Sequence, residues 1–341
     1  MMSMLGWFSL VLLGSFFLFM LNWQHSANAI YLLLAVISIV AWIFQRVRAG
    51  PLSSPRIPLY LIASFLVYPI AVFLQSCVLG NWSFRAWDAP SRFIMAIPIL
   101  LFLVSLSQRY LKYVFHAAVL GAWGALAGGA LQMPTSSDGR AMTYFMHPTA
   151  FGNLILILGI CSLGAYREFW HQRLWAVSGL LAGLGGAYLS GTRAAWMAAG
   201  IAALLGVALQ TQISKKMKYG LVAVLLVMGI GLYNTSSTVR DRVSVGWYEL
   251  TQPLIEVADT SVGLRRQYWL ASFEMISIHP IWGVGRFQFP KEKQTLVDAG
   301  ILTPAASQYD HPHNELLFAW VELGILGFIG ILCLYLGPAY F

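Results

Sequence analysis

The sequence predicts an all-α polytopic membrane protein, a bundle of about 10–12 transmembrane helices with one long outer loop that contains amphipathic helices. Hydrophobic residues make up 58% of the chain, and the mean hydropathy is +0.69. Only 10% of the residues are charged, too few for the surface of a water-soluble domain of this length. Helices are predicted because a segment inside the hydrocarbon must satisfy its own backbone hydrogen bonds.

Ten apolar runs are predicted as membrane spans. They are residues 7–22, 27–44, 57–79, 93–107, 113–132, 151–166, 174–190, 194–212, 219–233 and 314–337. The first run lacks a basic start and an Ala-x-Ala-like exit, so we interpret it as a helix and not as a cleaved signal peptide. The predicted organisation is one integrated membrane domain, with about nine spans in residues 1–233, a large loop over 234–313 and a last span in 314–341.

The loops on one side of this predicted bundle carry cations and almost no acids. Ten cations share that side with the single acid Glu168, namely Arg46, Arg48, Arg56, Arg109, Lys112, Arg167, Arg173, Lys215, Lys216 and Lys218. Lys and Arg are retained in the cytoplasm during insertion, so this side is predicted to be cytoplasmic, with both termini there and the long loop outside. The net charge of +8 is then an orientation signal, and it requires no nucleic-acid partner.

The loop over residues 234–313 is long enough to need structure of its own. Apolar residues recur in it at helical spacing before Pro280, at Leu264, Tyr268, Ala271, Met275 and Ile278. This pattern predicts an amphipathic helix that either lies on the bilayer or covers the bundle.

Neither a disulfide framework nor a cofactor is predicted. Cys77, Cys161 and Cys333 all fall within predicted spans, and the chain contains no Walker loop, CxxC pair or HExxH signature. His311 and His313 could ligate a metal together with Asp310 or Glu315, but no third histidine stands at useful spacing. We therefore predict no metal site.

Three arginines are candidates for binding an anion on the outer side. Arg193 stands in a very short predicted loop among small residues, and Arg265 and Arg266 stand together in the predicted loop helix. Arginine suits bidentate recognition of phosphate, so two arginines from different segments could hold a diphosphate. The alternatives are an interfacial anchor for Arg193 and a solvated basic face or lipid headgroup contact for the pair. Adjacent helical residues point about 100° apart, so only one of the pair needs to be functional.

The second candidate group lies at the start of the last span. His313 is predicted to be a general base, and His311 is expected to point elsewhere and to shape the entry or bind sugar. The alternative for His313 is a capping role, with Asn314 or Asp310 helping. Glu322 lies on the same helical stripe as Glu315 and is expected to find a cationic partner, in either a catalytic or a structural ion pair.

In their order along the chain, these motifs resemble the O-antigen ligase and polymerase family of bacterial envelope enzymes. The resemblance covers residues 186–337 and rests on GTRAAW at 191–196, Arg265 followed by Trp269, HPIWGVG at 279–285, HNELL at 313–317 and ELG at 322–324. Residues 139–153, with Arg140 and His147, resemble a looser family feature, although His147 and Pro148 stand where many members have Asn or Pro.

The resemblance implies a metal-independent glycosyltransferase of the bacterial inner membrane with its active site on the periplasmic face. Arg193 and Arg265 would hold the diphosphate of an undecaprenyl-diphosphate-linked glycan donor, and His313 would activate a sugar hydroxyl, with inversion at the anomeric carbon. The short Arg193 region favours a ligase, whose acceptor would be lipid A-core oligosaccharide, in contact with membrane lipids. Secondary candidates for substrate binding are His311, Asn314, Arg266, Glu322, Arg140 and His147.

Other functions remain open. An O-antigen polymerase or a protein O-oligosaccharyltransferase of the same family would use the same kind of donor. A transporter or flippase would place ionisable groups near the bilayer midplane and would show an internal repeat. The polar groups here cluster at one predicted face, which favours the enzyme.

Overall fold

The computed structural model describes residues 2–49, 57–105, 108–136, 139–166, 170–209 and 214–340. Within them, fourteen α-helices follow one another. They are α1 Met2–Phe19, α2 Ser26–Ala49, α3 Leu59–Leu79, α4 Phe84–Ser105, α5 Gln108–Gln132, α6 Pro148–Ser162, α7 Trp170–Leu189, α8 Arg193–Leu209, α9 Lys215–Thr235, α10 Ser237–Thr251, α11 Leu254–Val257, α12 Ser261–Ile278, α13 Phe289–Asp298 and α14 Glu315–Tyr340.

The predicted all-α membrane fold is confirmed. The described ranges contain no β-strand, and each of the ten predicted spans overlaps one helix. Among the described residues, seven helices are long and apolar enough to cross a membrane, and two shorter ones, Gly6–Phe19 and Arg193–Leu209, are also apolar. The helix over the predicted span 174–190, α7, is in neither group. Parts of two predicted spans, 106–107 and 210–212, lie outside the described residues. Of the residues in the charge comparison, Arg56, Arg167 and Glu168 lie outside the described residues, and so do the side chains of Arg46, Arg48, Arg109 and Lys112.

The chain divides into two compact units. The first unit comprises Met1–Phe44 and Leu106–Val243. Small residues line its helix contacts, and a Cβ on Gly159 of α6 would lie 2.8 Å from the Cα of Gly183 on α7. Without a hydrophobic force between helices in lipid, such close backbone contact supplies the packing energy.

The second unit comprises Gln45–Ser105 and Ser244–Phe341. Its α14 packs closely on α3, since a Cβ on Gly330 would lie 2.8 Å from the Cα of Tyr68. The other core of this unit joins α12 with α13 and α14. Its buried members are Leu264, Tyr268, Ala271, Met275, Phe289, Leu302, Ala306 and Val321.

The predicted amphipathic helix is α12, which begins after Thr260 and ends before Pro280. The Thr260 side chain accepts a hydrogen bond from the Gly263 amide, as expected of an N-cap. Four of the five residues of the predicted apolar face are buried within the unit, and Ile278 is exposed. The sequence left open whether this helix lies on the bilayer or covers the bundle. The structure favours packing on protein.

A tight loop from Pro280 to Gly285 docks on a break in α14. The Val284 amide donates to the carbonyl of Val321 at 2.8 Å, and the Ile325 amide donates to the carbonyl of Pro280 at 3.0 Å. Gly324 allows this break with φ of 68° and ψ of −162°, a combination that is essentially restricted to glycine. A Cβ there would collide with the carbonyl of Ile281. The HPIWGVG and ELG motifs thus form one structural junction.

Candidate functional site

Residues 309–313, here called the histidine segment, connect a short 3₁₀ helix over Pro304–Gln308 to α14. Two side chains from other helices hold its backbone. The indole Nε1 of Trp269 on α12 donates to the carbonyl of Pro312 at 3.1 Å. The Nζ of Lys293 on α13 donates to the carbonyl of Tyr309. The position of the segment is therefore set by tertiary contacts.

The segment places its two histidines against each other. The backbone of His313 is in the left-handed region with φ of 54°, and its amide donates to Nδ1 of His311 at 3.2 Å. The two imidazole rings are 4.2 Å apart between centroids. The expectation that His311 points elsewhere is wrong, because this local hydrogen bond folds one ring against the other.

His313 lies among aromatic rings and positive charge. The ring of Tyr309 is 5.0 Å from that of His313, and the ring of Tyr268 is 6.2 Å away. Although His313 is exposed, desolvation by the groups packed around it, then His311, then Arg265 lower its pKa from 6.5 to about 4. Both burial and neighbouring cations disfavour the imidazolium. Near pH 7 His313 is consequently neutral and able to accept a proton.

Capping of α14 is performed by Asn314. Its Oδ1 accepts hydrogen bonds from the amides of Leu316 at 3.1 Å and Leu317 at 3.2 Å. These are two of the donors left without a helical partner at a helix N-terminus. The side chain predicted to assist substrate binding thus has a structural contact.

The structure distinguishes the two neighbouring arginines of α12. Arg265 is exposed and close enough to His313 for its charge to affect that imidazole. Arg266 is half-buried, and its Nη1 donates to the carbonyl of Gln252 at 3.0 Å. Arg265 is therefore the better placed of the pair to bind a ligand beside His313.

Arg193 belongs to the first unit, where it begins α8 after a turn formed by residues 190–192. Arg140 braces this turn, since its Nε donates to the carbonyl of Ser190 at 2.6 Å and its Nη2 to Thr192 Oγ1 at 3.3 Å. Thr192 Oγ1 in turn donates to the carbonyl of Pro148 at 3.1 Å. Ser190 and Thr192 flank Gly191, and their hydroxyls are buried. These two residues were the signal that sequence reasoning missed.

His147, the remaining candidate of the first unit, stands at the N-cap of α6. Its Nδ1 accepts a hydrogen bond from the Thr149 amide at 3.3 Å. The side chain is exposed. Its observed contact is thus local.

Glu322 is 1% exposed, and both of its carboxylate oxygens are bound within the protein. Oε2 accepts from Nη1 of Arg286 at 2.7 Å, and Oε1 accepts from the amide of Phe287 at 2.7 Å. Arg286 also donates to the hydroxyl of Tyr68 at 3.0 Å. The structural ion pair considered above accounts for these contacts, and Arg286, the partner, was not among the candidates.

The candidates fall into two sets by unit. The second unit holds His311, His313, Asn314, Arg265, Arg266 and Glu322, and within it His311, His313 and Arg265 are brought together. The first unit holds Arg140, His147 and Arg193, and within it Arg140 braces the turn before Arg193. Among the described residues, no group of three His, Cys, Asp or Glu residues could hold a metal ion.

The fold and these groups define a polytopic helical membrane protein in whose C-terminal part an arginine of α12 lies close enough to a histidine to lower the pKa of its imidazole. A family model described as "O-Antigen ligase" matches residues 178–332. The match includes Arg193, Arg265, His313 and Glu322, and it confirms the resemblance of the motifs to the O-antigen ligase family. Members of this family are membrane glycosyltransferase-like enzymes, ligases and polymerases, which supports an enzyme at this coarse level.

The similarity to a known relative extends over nearly the whole chain. A Haemophilus influenzae protein described as "Uncharacterized protein" is 24% identical over 344 aligned residues. The alignment covers 97% of this chain and 84% of the relative.

Proposed function

We propose that the protein is an O-antigen ligase. It would transfer glycan from an undecaprenyl-diphosphate-linked donor to a sugar hydroxyl of lipid A-core oligosaccharide, at the periplasmic face of the inner membrane. The cation-rich loops and both termini would then face the cytoplasm. The observation that carries the proposal is the setting of His313 inside the matched domain, where burial and the charges of His311 and Arg265 lower the pKa of its imidazole.

In the proposed step, the imidazole of His313 accepts the proton of the acceptor hydroxyl. The hydroxyl oxygen forms a bond to the anomeric carbon on the face opposite the diphosphate. The bond between that carbon and the diphosphate oxygen breaks, and the electron pair leaves with undecaprenyl diphosphate. Configuration at the anomeric carbon is inverted.

Arginine charge would stabilise the leaving diphosphate without a metal ion. Arg265 is proposed to bind it beside His313. For Arg193, in the first unit, diphosphate binding stays the prediction that the family resemblance implies. Bound diphosphate would also raise the pKa of His313, because a nearby anion favours the imidazolium. His313 would therefore become a stronger base when the donor is present.

The secondary candidates have different support. Arg140 is proposed to act through the turn that it braces, and His311 through its contact with His313. The contacts of Arg266, Asn314 and Glu322 are with the protein itself. For these three, and for His147, substrate binding stays a proposal that the family resemblance implies.

The test is transfer by the purified protein in liposomes that contain the lipid-diphosphate glycan and lipid A-core, with EDTA present. The product, complete lipopolysaccharide, is identified by gel mobility and mass spectrometry. We expect product with EDTA, and a requirement for Mg²⁺ or Mn²⁺ would contradict the proposed role of arginine.

His313→Ala should lower the rate by at least about a hundredfold, as loss of a general base does. His171→Ala removes an exposed histidine of the first unit and should leave the rate unchanged. A rate of His313→Ala within a few-fold of the parent, at saturating donor and acceptor, would exclude the general-base role.

The acceptor distinguishes the related activities. Product formed only on a second lipid-linked glycan would indicate a polymerase, and product on a protein would indicate a protein O-oligosaccharyltransferase. Movement of the lipid-linked glycan across the liposome without any product would indicate a flippase.

A further inference from the structure

Lys293 is a buried lysine on α13, outside the family motifs and among the largest fully buried side chains in the described part of the chain. Its side chain is 1% exposed. Burying a cationic group is costly unless hydrogen bonds or charges compensate. Such a residue is therefore expected to have a specific role.

Two contacts of the Lys293 ammonium lead to the surroundings of His313, and a third is with the ring of Phe289, 5.8 Å away. Nζ donates to the carbonyl of Tyr309, which begins the histidine segment. Nζ also lies 5.0 Å from the centre of the Tyr268 ring, a cation–π distance. Burial lowers the pKa of Lys293, and the charge of Asp310 opposes this effect.

Tyr268 joins this buried group to the base. Its side chain is 0% exposed, and its ring is 6.2 Å from that of His313 and 6.5 Å from that of Tyr309. It lies one helical turn beyond Arg265 on α12. The ammonium thus contacts both the backbone and the aromatic wall against which His313 is placed.

We propose that Lys293 is a positioning residue for the general base: its ammonium fixes the Tyr309 carbonyl and the Tyr268 ring, so that the histidine segment presents His313 beside Arg265. The proposal rests on the proposed function. Lys293 is not proposed to contact His313 or the substrates. It acts on His313 through the histidine segment that it holds. The opposite end of the segment is held independently by Trp269.

The first test is the kinetics of Lys293→Met, which keeps chain length but removes the charge and the donor. We expect kcat to fall at least tenfold, with the KM for the donor within threefold of the parent. Lys291→Met is the matched control, because Lys291 is exposed on the same helix, and it should behave like the parent. A kcat of Lys293→Met within threefold of this control would overturn the proposal.

If Lys293→Met does not insert and fold, the same kinetics of Lys293→Arg test the positioning proposal. Its longer planar donor cannot occupy the place of the ammonium without displacing the Tyr309 carbonyl. A kcat more than threefold lower at unchanged donor KM supports positioning, and parental kcat overturns it.

A second readout does not depend on turnover. Histidine labelled with ¹³C, with the signal of His313 assigned through His313→Gln, gives the pKa of His313 in nanodiscs. Release of the segment should raise that pKa toward 6.5, because the imidazole loses burial and moves away from the charge of Arg265. An unchanged pKa together with equal changes in kcat and KM would show a purely structural role and overturn the proposal. If the parent forms no product, the proposed function fails, and this pKa comparison still tests the positioning.

Discussion

Acidification from about pH 7.5 to about pH 5.5 tests the protonation state of His313 in the free enzyme. The surrounding groups lower its pKa to about 4. At that pKa about 97% of the imidazole is still neutral at the lower pH, so kcat/KM should fall by less than about a tenth. With an ordinary pKa of 6.5, only about 9% would be neutral, and kcat/KM would fall about tenfold.

The assay is the initial rate of glycan transfer at low donor and acceptor concentration, where the pH profile reports groups of the free enzyme. Activity should be kept as pH falls from 7, and it should be lost as pH passes through about 4, where the imidazole becomes protonated. In kcat, which reports the complex, the inflection should move to higher pH, because bound diphosphate favours the imidazolium.

A tenfold loss of kcat/KM by pH 5.5, with the protein still folded, would refute this reasoning. Thermal unfolding measured at each pH gives the folding control. In Arg265→Gln the inflection of the residual activity should shift upward, since one of the charges that lower the pKa of His313 is removed. An inflection at the parental position would contradict the assigned cause.

The remaining predictions concern the surrounding residues. Arg265→Lys should lower kcat/KM at least tenfold, because an ammonium cannot form the bidentate pair, whereas Arg266→Ala should lose less, since that side chain is bonded to a backbone carbonyl. Glu322→Gln should lower the free energy of unfolding by roughly 3 kcal/mol, measured by thermal unfolding in detergent, because the half-buried Arg286 loses its charged partner. Gly324→Ala should destabilise by at least about 1–3 kcal/mol, because its positive φ and the adjacent carbonyl exclude a Cβ, and stability equal to the parent would contradict the described junction. Tyr268→Phe should keep both activity and stability, because the hydroxyl is buried without a hydrogen-bond partner among the described residues, whereas Tyr268→Leu should lose the cation–π contact, about 0.5–2 kcal/mol, together with activity.

The candidate residues that the sequence indicated differ in what their side chains contact in the structure. Arg265 and Arg266 are adjacent and chemically identical, so helical spacing does not choose between them, and only the family resemblance favoured Arg265. The choice depends on the position of the Gln252 carbonyl, which occupies Arg266. His311 illustrates the converse error, because its orientation follows from a single backbone hydrogen bond that composition and spacing do not reveal.

The sequence by itself determined the helical membrane fold, the approximate position of each span and the course of α12 up to Pro280, although α4 begins at Phe84, well before the predicted start at residue 93. Apolar length and periodicity act between neighbours along the chain, so they are readable without a fold. Only the tertiary structure decided that Glu322 pairs with Arg286, and that Trp269 and Lys293 hold the histidine segment. These pairs are separated by 16 to 43 residues along the chain, and their partners are backbone carbonyls or buried charges. Their contacts exist only because packing brings distant helices together, and the low pKa of His313 follows from the same packing.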